Sequence, residues 1–445
     1  MKMNTHAMSH IISQPLNQPP FLDGIKTEEF RYRREMLKAA LPEGIIILRG
    51  ATEEEVVTGQ RYHQNSPFVY YTGIETPGAF LVLLPAGLSS RAGNKTFSAN
   101  VEEILFLPER NPTGETWTGQ KLGPGTEAET LTGIAKVAPV SSLWTALTGW
   151  LRRCPLVYTL CPFGETAKLT REFALMQRIS DLAPSTRFQD CARAMRTQRL
   201  VKSPAEIEKL EAAICISEEG QKAAKKAITE GAGRYEYEVE AKVLEAFRSR
   251  GATLAFPAII GSGFRATVLH YEDNHEKMNE GDLVVVDIGA KLNGYNGDLT
   301  RTYPVGGSGT LSARQREIYA LVLEAHRLVI DSFVVGVDSR QSLDDRVKEL
   351  LDKSPLRSKD AKGEEKTMKT FMPHGLGHHL GLDVHDVVAQ DDLSDPLPVG
   401  SVFTVEPGVY LPSESIGVRL EDDYLVTETG LKRLGAGLPL ELDTD

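Results

Sequence analysis

The feature that most constrains this chain is an acidic residue inside a run of aliphatic residues. Residues 283–288 read Leu-Val-Val-Val-Asp-Ile, and Gly281 and Gly289 bound the run. A short β-branched run between glycines predicts a strand that is buried in a sheet. Burying an ionised carboxylate is costly unless a partner compensates it. Taken alone, Asp287 is most simply a structural acid that is hydrogen-bonded to backbone or paired with an arginine.

A second acid favours a charged site instead. A turn at 291–294 leads into residues 295–303, Tyr-Asn-Gly-Asp-Leu-Thr-Arg-Thr-Tyr, which alternate as a paired strand does. The two runs predict a β-hairpin in which Asp298 lies across from Asp287. Two facing carboxylates repel each other, so one stays protonated unless a cation lies between them.

Two further acids lie in segments that we predict to be strands. Glu406 lies inside residues 402–410, and Glu421 lies inside residues 417–426. Because side chains alternate along a strand, Glu421 shares its face with Arg419. The chain therefore has four acids in predicted strands, where acids are uncommon.

A histidine-rich window lies between these acids. Residues 374–386 contain four of the ten histidines of the chain, His374, His378, His379 and His385. His378 and the four carboxylates form an oxygen-rich donor set, which favours Mn²⁺, Fe²⁺ or Co²⁺ over a thiolate-type zinc site. Four carboxylates exceed the needs of one ion, which predicts two bridged ions. His379 is interpreted as structural.

The elements around these acids are predicted in a repeated order. Ser203, Pro204 and Glu206 form a capping box that predicts a helix from 203 to 230. The other predictions are a helix at 235–250, strands at 256–261 and at 267–271 with His270, helices at 312–333 and 342–353, and a charged loop without assigned function at 352–369. Basic residues ahead of the first helix, Arg199 among them, are interpreted as a solvated or interdomain face. Helix, helix, strands thus occurs twice, over 203–303 and 312–426, which indicates a loose internal duplication.

The first part of the chain predicts a separate α/β domain. Its predicted elements are a surface helix at 27–41 capped by Thr27, strands at 44–48, 68–72, 80–84 and 103–107, and helices at 141–151 and 165–179. The lone His63 is interpreted as structural. A chain of 445 residues predicts two domains, which we place at 21–180 and 190–440.

Composition and charge exclude some partners. The net charge is −11, so the chain lacks the basic surface that binding to nucleic acid or to an anionic membrane requires. Four cysteines without a Cys-x-x-Cys pair indicate reduced thiols. The first twenty residues lack the apolar core of a signal peptide, and no apolar run approaches the roughly 18 residues of a membrane span. We therefore expect a cytoplasmic protein.

Several segments resemble a known family. VVVDIGA with GYNGDLTRTY, HGLGHHLGLDVHD, TVEPGVY and GVRLEDDYLVTE resemble, over residues 190–435, the metal-binding segments of the pita-bread metallopeptidases, which include methionine aminopeptidase, prolidase and aminopeptidase P. RYRREML, YHQNSPFVYYTGIETPGAFLVLLP and FLPERNPTGETWTGQKLG resemble the N-terminal domain of aminopeptidase P. The resemblance implies an α+β pita-bread catalytic domain that follows a smaller N-terminal α/β domain.

The resemblance also implies the ligands of two divalent ions, with Mn²⁺ favoured and Co²⁺, Fe²⁺ or Zn²⁺ as alternatives. The implied ligands are Asp287, Asp298, His378, Glu406 and Glu421. Asp298 and Glu421 correspond to the bridging positions of the family. Asp287 corresponds to a ligand of one ion, whereas His378 and Glu406 correspond to ligands of the other.

The implied activity is hydrolysis of the bond between an N-terminal residue and a following proline by a hydroxide that bridges the two metals. His385 is expected to donate to the carbonyl or the oxyanion, and Glu406 to pass a proton to the proline nitrogen. His270 and His374 would line the proline pocket, and Arg419 would steady Glu421 or the substrate backbone. The family further implies a homodimer or homotetramer that acts on peptides with proline in second position.

Two alternatives remain at this point. One is an Xaa-Pro dipeptidase, in which Arg61 would bind the carboxylate of the product proline. The other, less favoured, is a metal-free binding module of the same fold. Such a module should show replaced ligands, whereas this chain keeps all five.

Overall fold

The computed structural model describes residues 24–55, 62–88, 101–161, 170–230, 234–387 and 393–442. They belong to two compact units, which divide between Gln198 and Arg199. Arg61, the residue named for the dipeptidase alternative, lies outside the described residues. The predicted start of the helix at 165–179 also lies outside them.

The first unit is built on one mixed six-stranded sheet. Its described strands are β1 (Ile45–Arg49), β2 (Phe80–Leu83), β3 (Glu103–Leu107), β4 (Lys136–Pro139), β5 (Leu156–Thr159) and β6 (Arg187–Asp190), in the sheet order β4-β3-β2-β1-β5-β6. Its described helices are α1 (Thr27–Ala40), α2 (Ser66–Thr72), α3 (Pro112–Thr118), α4 (Thr126–Thr132), α5 (Leu143–Leu151), α6 (Arg171–Leu182) and α7 (Ala192–Leu200), which extends across the division between the units. The three strands predicted from the aliphatic runs are confirmed as β1, β2 and β3.

Two local predictions in this unit are wrong. Residues 68–72, predicted as a strand, belong to α2, because the Asn65 side chain accepts the N–H of Phe68 at 2.9 Å and Gly73 ends the helix with φ 70°. Thr27 does not cap α1, because Lys26 occupies the cap position and makes no side-chain cap bond. At α2, the side chain of the residue just before the helix thus fixes where the helix begins.

The second unit combines two helix pairs with short antiparallel sheets. Its described elements are α8 (Pro204–Thr229), α9 (Glu236–Arg248), β7 (Thr253–Leu254), β8 (Ile259–Ser262), β9 (Leu283–Ile288), β10 (Ala290–Leu292), β11 (Tyr295–Asn296), β12 (Leu299–Pro304), α10 (Ala313–Ser332), α11 (Arg340–Lys353), β13 (Arg357–Lys359), β14 (Glu365–Thr367), β15 (Val402–Val405), β16 (Gly408–Leu411), β17 (Ile416–Arg419), β18 (Asp422–Thr427) and β19 (Gly430–Arg433). The sheets are β12-β9-β8, β11-β10-β7, β13-β14, β15-β18-β19 and β16-β17. The capping box that starts α8 is confirmed, because the Ser203 hydroxyl accepts the N–H of Glu206 at 3.2 Å.

Each helix pair covers its own hydrophobic core. Val243 and Phe247 of α9 pack with Val284 and Val286 of β9 in one core. In the other, residues of α10 and α11 such as Val322 pack with β15 to β18. The two halves thus follow the repeated order of elements that the sequence predicts, and the strands of both halves are held by buried aliphatic contacts.

Two further predictions in the second unit are wrong. Residues 267–271 are not a strand, because Gly263, with φ 56°, turns the chain after β8 into a short 3₁₀ helix. Part of the charged segment 352–369 forms the β13–β14 hairpin, in which oppositely charged Lys359 and Glu365 pair across the strands.

The four cysteines are free, and Cys215 alone among them is partly exposed. Across the described parts of the chain, we find no helix with both the length and the apolar character needed to cross a bilayer.

Candidate metal centre

One cavity in the second unit brings together most of the predicted site residues. Its volume is about 240 Å³. All five residues predicted as metal ligands line it, together with His270 and His385. The other lining residues are Phe256, Pro257, Ile259, Glu272 and Val384. Arg419 and His374 are not among the lining residues.

The β9–β12 hairpin supplies the two aspartates. Asp287 lies in β9 opposite Thr300 of β12, which confirms the predicted hairpin. Asp298 lies immediately before β12, so it is offset from Asp287 rather than directly opposite. The N–H of Asp298 donates to the Asp423 carboxylate at 3.1 Å, and this bond anchors the start of β12.

Glu406 lies at a break in a segment that we predicted as one strand. Residues 402–410 divide into β15 and β16 on either side of Glu406 and Pro407. Proline has no N–H, so the ladder of hydrogen bonds stops there. The N–H of Glu406 donates instead to the carbonyl oxygen of Leu376 at 2.9 Å. The prediction of a continuous strand is wrong, and the break presents the carboxylate to the cavity.

Glu421 lies at a similar break. Residues 417–426 divide into β17 and β18, separated by Leu420 and Glu421. The N–H of Glu421 donates to the carbonyl oxygen of Thr300 at 3.0 Å, and the Thr300 hydroxyl donates to the Glu421 carboxylate at 2.6 Å. Thr300 therefore holds both the backbone and the side chain of Glu421.

His378 is held beside the acids by backbone contacts with Thr404. The N–H of Thr404 donates to the His378 carbonyl oxygen at 2.8 Å, and the His378 N–H donates to the Thr404 hydroxyl at 3.0 Å. Its Nε2 atom lies 3.4 Å from Asp298 Oδ2 and 3.6 Å from Glu406 Oε1. This approach requires Gly377, because a Cβ there would lie 2.0 Å from the Thr404 carbonyl oxygen.

The buried acids strongly perturb one another. Burial, with repulsion from Asp287, raises the pKa of Asp298 to about 6, and burial raises the pKa of Glu406 to about 7. Burial and the neighbouring carboxylates raise the pKa of Glu421 well above its usual range. For His378, burial opposes the charged form, but the hydrogen bond to Asp298 and the charge of Glu406 raise its pKa to about 9. The site therefore retains protons that a bound cation would displace.

The donor set fits a divalent metal. One ligand atom each from Asp298, His378 and Glu421 lies within 4.8 Å of the other two. Carboxylate oxygens and imidazole are donors that Mn²⁺, Fe²⁺ and Co²⁺ accept. The Oδ1 atom of Asp287 is buried without a hydrogen-bond partner, which is unfavourable unless a cation compensates it.

Arg419 is buried and contacts Asp287 and two hydroxyl groups. Its guanidinium donates to Asp287 at 2.6 Å, to the Tyr410 hydroxyl at 2.9 Å and to the Thr300 hydroxyl at 3.2 Å. The Tyr410 hydroxyl lies 2.9 Å from Nε2 of His374. Burial lowers the pKa of His374 to about 4. The structure thus places His374 against Tyr410, away from the cavity lining.

The other histidines divide into two kinds. His270 and His385 are exposed and line the cavity, and the ring centroids of His385 and His378 are 4.1 Å apart. Burial and the charge of His378 lower the pKa of His385. His379 is buried outside the lining, its Nδ1 lies 3.3 Å from the Val402 carbonyl oxygen, and burial lowers its pKa to about 3. This position agrees with the structural interpretation of His379.

A buried ion cluster anchors the segment that carries His385. The adjacent Asp386 is buried and contacts the guanidinium of Arg199 and, at 3.0 Å, the ammonium of Lys202. Arg199 also donates to Asp383 at 2.8 Å. Arg199 is itself buried, so its interpretation as part of a solvated face is wrong, whereas the alternative of an interdomain face stays a prediction.

Sequence reasoning missed Thr300, Tyr410 and Asp386. Strand alternation was a usable signal for Thr300, because it lies two residues after Asp298. Tyr410 and Asp386 make their contacts with residues distant in sequence, so local patterns contain no signal for them.

Comparison with known proteins agrees with this geometry. Residues 208–428 match the family described as metallopeptidase family M24, and residues 30–158 match the N-terminal domain of aminopeptidase P. An Xaa-Pro aminopeptidase of Haemophilus influenzae is 34% identical over 95% of this chain and 97% of its own length. The chain belongs to metallopeptidase family M24.

Solved structures extend the likeness of this metallopeptidase to the whole fold. Proline aminopeptidase P II from Yersinia pestis has a TM-score of 0.79 and 29% identity, covering 94% of this chain and 98% of its own. Zn-substituted Escherichia coli aminopeptidase P in complex with product has a TM-score of 0.78 and 30% identity, covering 93% and 96%. The fold is the pita-bread fold preceded by an N-terminal domain, as the resemblance implied. The relatives show an enzyme of the Xaa-Pro aminopeptidase type and favour it over a dipeptidase.

Proposed function

We propose that this metallopeptidase removes the N-terminal residue from peptides with proline in second position, and that Asp287, Asp298, His378, Glu406 and Glu421 hold two divalent ions. One observation carries the proposal. The five donors, which come from distant segments of the chain, converge on one cavity where the acids are buried and mutually repelling.

Mn²⁺ is the ion that we propose, with Co²⁺, Fe²⁺ or Zn²⁺ as alternatives. When bound, the ions would polarise the substrate carbonyl and make water acidic enough to act as a nucleophile at neutral pH. The oxygen-rich donor set supports the harder ions of this group. Thr300 and Arg419 would keep Glu421 and Asp287 oriented through the hydrogen bonds described above.

Glu406 and His385 have proton-handling roles in this proposal. Glu406 takes a proton from the attacking water and passes it to the proline nitrogen, which must be protonated before it can leave. His385, at the cavity wall beside His378, donates to the developing oxyanion. Its partly exposed ring leaves room for a substrate carbonyl.

The remaining predicted residues are assigned to positioning. We propose that His270, which lines the cavity, contacts the substrate proline. His374 contacts Tyr410, which in turn contacts Arg419, so we propose that His374 steadies this arginine while facing the proline from behind the cavity. A proline ring lacks the N–H that general peptidases bind, so a shaped pocket must replace that hydrogen bond.

A peptide-length series tests the proposal. The purified chain, treated with a chelator and reloaded with Mn²⁺, should hydrolyse Arg-Pro-Pro at the first bond and lose this activity when the chelator is returned. Hydrolysis of Gly-Pro without hydrolysis of Arg-Pro-Pro would establish the dipeptidase instead. If elemental analysis found no bound metal after dialysis against Mn²⁺, the metallopeptidase proposal would be contradicted.

Three further expectations belong to this proposal. We propose domains at 21–180 and 190–440, assembly into a homodimer or homotetramer, and a cytoplasmic location. The N-terminal match to aminopeptidase P supports the first of these, and the free cysteines support the last. Light scattering coupled to gel filtration measures the assembly directly.

A further inference from the structure

Glu272 is the one acid among the described lining residues of the cavity that is not a proposed metal ligand. It is exposed, and its carboxylate forms no hydrogen bond or ion pair with the described part of the chain. The same cavity also has apolar lining residues, among them Phe256, Pro257 and Val384. An exposed and uncompensated charge in the cavity wall is positioned to act on a substrate that enters the cavity.

The segment that carries Glu272 is fixed in place from both sides. The hydroxyl of Tyr271 donates to Glu236 at 2.9 Å. Asn274, in the left-handed region with φ 47°, accepts the N–H of Ile260 at 2.9 Å and donates to the Ala258 carbonyl at 2.8 Å. The bonds of these two neighbours hold the backbone at Glu272 in place without substrate, which lowers the entropic cost of using this segment.

The contacts also indicate which part of a substrate Glu272 faces. His270 and Glu272 line the cavity, whereas the residue between them, Tyr271, is directed to Glu236. The proposed function assigns the substrate proline to His270. Glu272 lies two residues further along the same segment, and we assign to it the residue that follows the proline.

The charge of Glu272 is not balanced by the proposed metal ions or by Arg419. Two divalent ions would balance the four ligand carboxylates, and Arg419 is held by Asp287 and by Tyr410. Under this assignment, Glu272 adds an uncompensated negative charge beside the residue that follows the proline. Acidic residues at that position of the substrate would be repelled and basic residues attracted.

We propose that Glu272 selects substrates of the form Xaa-Pro-Lys or Xaa-Pro-Arg, in which a cationic third residue pairs with its carboxylate. The inference rests on the proposed function, because it takes the position of the proline from His270. It names a substrate class that the metal centre alone does not determine.

Steady-state kinetics of the Mn²⁺-loaded full chain on three peptides test this selection. Wild type should cleave Ala-Pro-Lys-Ala with a kcat/KM about three to five times that for Ala-Pro-Leu-Ala, the range of an exposed ion pair, and should disfavour Ala-Pro-Glu-Ala. Glu272→Gln should bring the Lys/Leu ratio close to one, mainly through KM. Glu272→Lys should reverse the preference. Raising the salt concentration should weaken the wild-type ratio, because salt screens exposed charges.

Asp273→Asn is the matched control. Asp273 is the next residue, equally acidic and exposed, but it does not line the cavity. The Lys/Leu ratio of kcat/KM for Asp273→Asn should stay at the wild-type value. An equal loss of this ratio in Asp273→Asn and Glu272→Gln would overturn the proposal in favour of a general charge effect. A comparison of Arg-Pro-Leu-Ala with Leu-Pro-Leu-Ala tests which substrate residue Glu272 faces. If Glu272→Gln changes the preference at the first residue and not at the third, the assignment is overturned. No cleavage of any peptide by wild type overturns the proposed function and this inference together, whereas cleavage that ignores the third residue overturns this inference alone.

Discussion

Each unit of the molecule contains a cavity lined by acids, and the two cavities differ in how those acids are compensated. In the first unit the cavity is about 510 Å³, and Glu53, Glu54, Glu109 and Glu115 line it. Glu53 is paired with Lys121, Glu54 with Arg171 and Glu115 with Arg110, and Glu109 accepts the hydroxyl of Ser141. Their negative charges are met by side chains of the same unit.

The cavity in the second unit is smaller and its acids are far less compensated. Five carboxylates and His378 line it. Among the described residues, Arg419 pairs with Asp287, and His378 lies beside Asp298 and Glu406 at the longer distances of 3.4 and 3.6 Å. Paired acids at a surface contribute little beyond solubility, whereas buried acids that repel one another need an external cation. Compensation, rather than cavity size or number of acids, therefore distinguishes the candidate metal centre.

The largest expected effect comes from removing one of the uncompensated acids. Glu421→Gln keeps the acceptor for the Thr300 hydroxyl but removes the charge, so kcat/KM should fall by at least about 10³-fold, as expected for loss of a metal ligand. Without metal, the same variant should be more stable than wild type at alkaline pH, because ionising the wild-type Glu421 would place a buried charge beside the other carboxylates. Activity assays and thermal unfolding in chelator measure the two effects.

The exposed Glu428 provides the control for this substitution. Glu428→Gln should change neither activity nor metal-free stability, because this residue lies in a turn outside the cavity. Full activity in Glu421→Gln would show that the acid cluster is structural after all.

Breaking a fully compensated buried acid should give the next largest effect. Asp386→Asn removes the countercharge of the buried Lys202 and leaves Arg199 with the half-exposed Asp383 as its acidic partner, which costs about 3–5 kcal/mol of unfolding free energy. His385 should also lose its anchor and activity should fall. Urea denaturation measures the stability, and Asp383→Asn, whose side chain is half exposed, should cost less than about 1 kcal/mol. Equal losses in both variants would contradict the role assigned to Asp386.

The two cavities should respond oppositely to pH. Without metal, the folded pKa values of Asp298 (about 6) and Glu406 (about 7) exceed their unfolded values, so the folded state binds more protons. Their stabilising contribution is complete below about pH 4 and is lost as the pH rises through 6 to 7, for a total on the order of a few kcal/mol. The raised pKa of His378, about 9, extends this loss to higher pH.

Glu115 in the first unit has the opposite sign. Its hydrogen bond with Arg110 lowers its pKa, so its contribution is present above its unfolded pKa and is lost as the pH falls. Because the acids of the second unit dominate between pH 5 and pH 8, the urea midpoint of the metal-free chain should be lower at pH 8 than at pH 5. Bound Mn²⁺ should remove this difference. A metal-free midpoint that rises from pH 5 to pH 8 would contradict the acid pKa values.

The smallest effect should come from the exposed pair in the first unit. Glu53→Gln removes the contact with Lys121, and both side chains are substantially exposed. The unfolding free energy should change by less than about 1 kcal/mol, as measured by urea denaturation. A larger loss would mean that the acids of the two cavities are less different than their contacts indicate.

The sequence was sufficient for features that depend on short-range pattern and chemistry. The aliphatic run with Asp287 predicted β9 and its hairpin, and the capping residues predicted α8. The donor set could be identified because buried acids are chemically expensive, and the family resemblance ordered them. These inferences required no knowledge of which distant segments meet.

The failures have two causes, local capping residues and tertiary contacts. Residues 68–72 have a strand-like composition, but they form a helix because Asn65 caps its start and Gly73 caps its end. Glu406 and Glu421 lie in strand-like runs that the fold interrupts, because their N–H groups bond to Leu376 and Thr300 instead of a neighbouring strand. Such choices depend on where the rest of the chain passes.

Gly377 has a consequence for redesign of this enzyme. Its contact with Thr404 is between two backbones, so the spacing between His378 and Glu406 depends on a residue that contributes no donor. Substitution there would alter coordination geometry while leaving ligand chemistry untouched. A library aimed at changing metal selectivity can thus vary donor identity and donor spacing separately, and substitutions at position 377 would change the spacing.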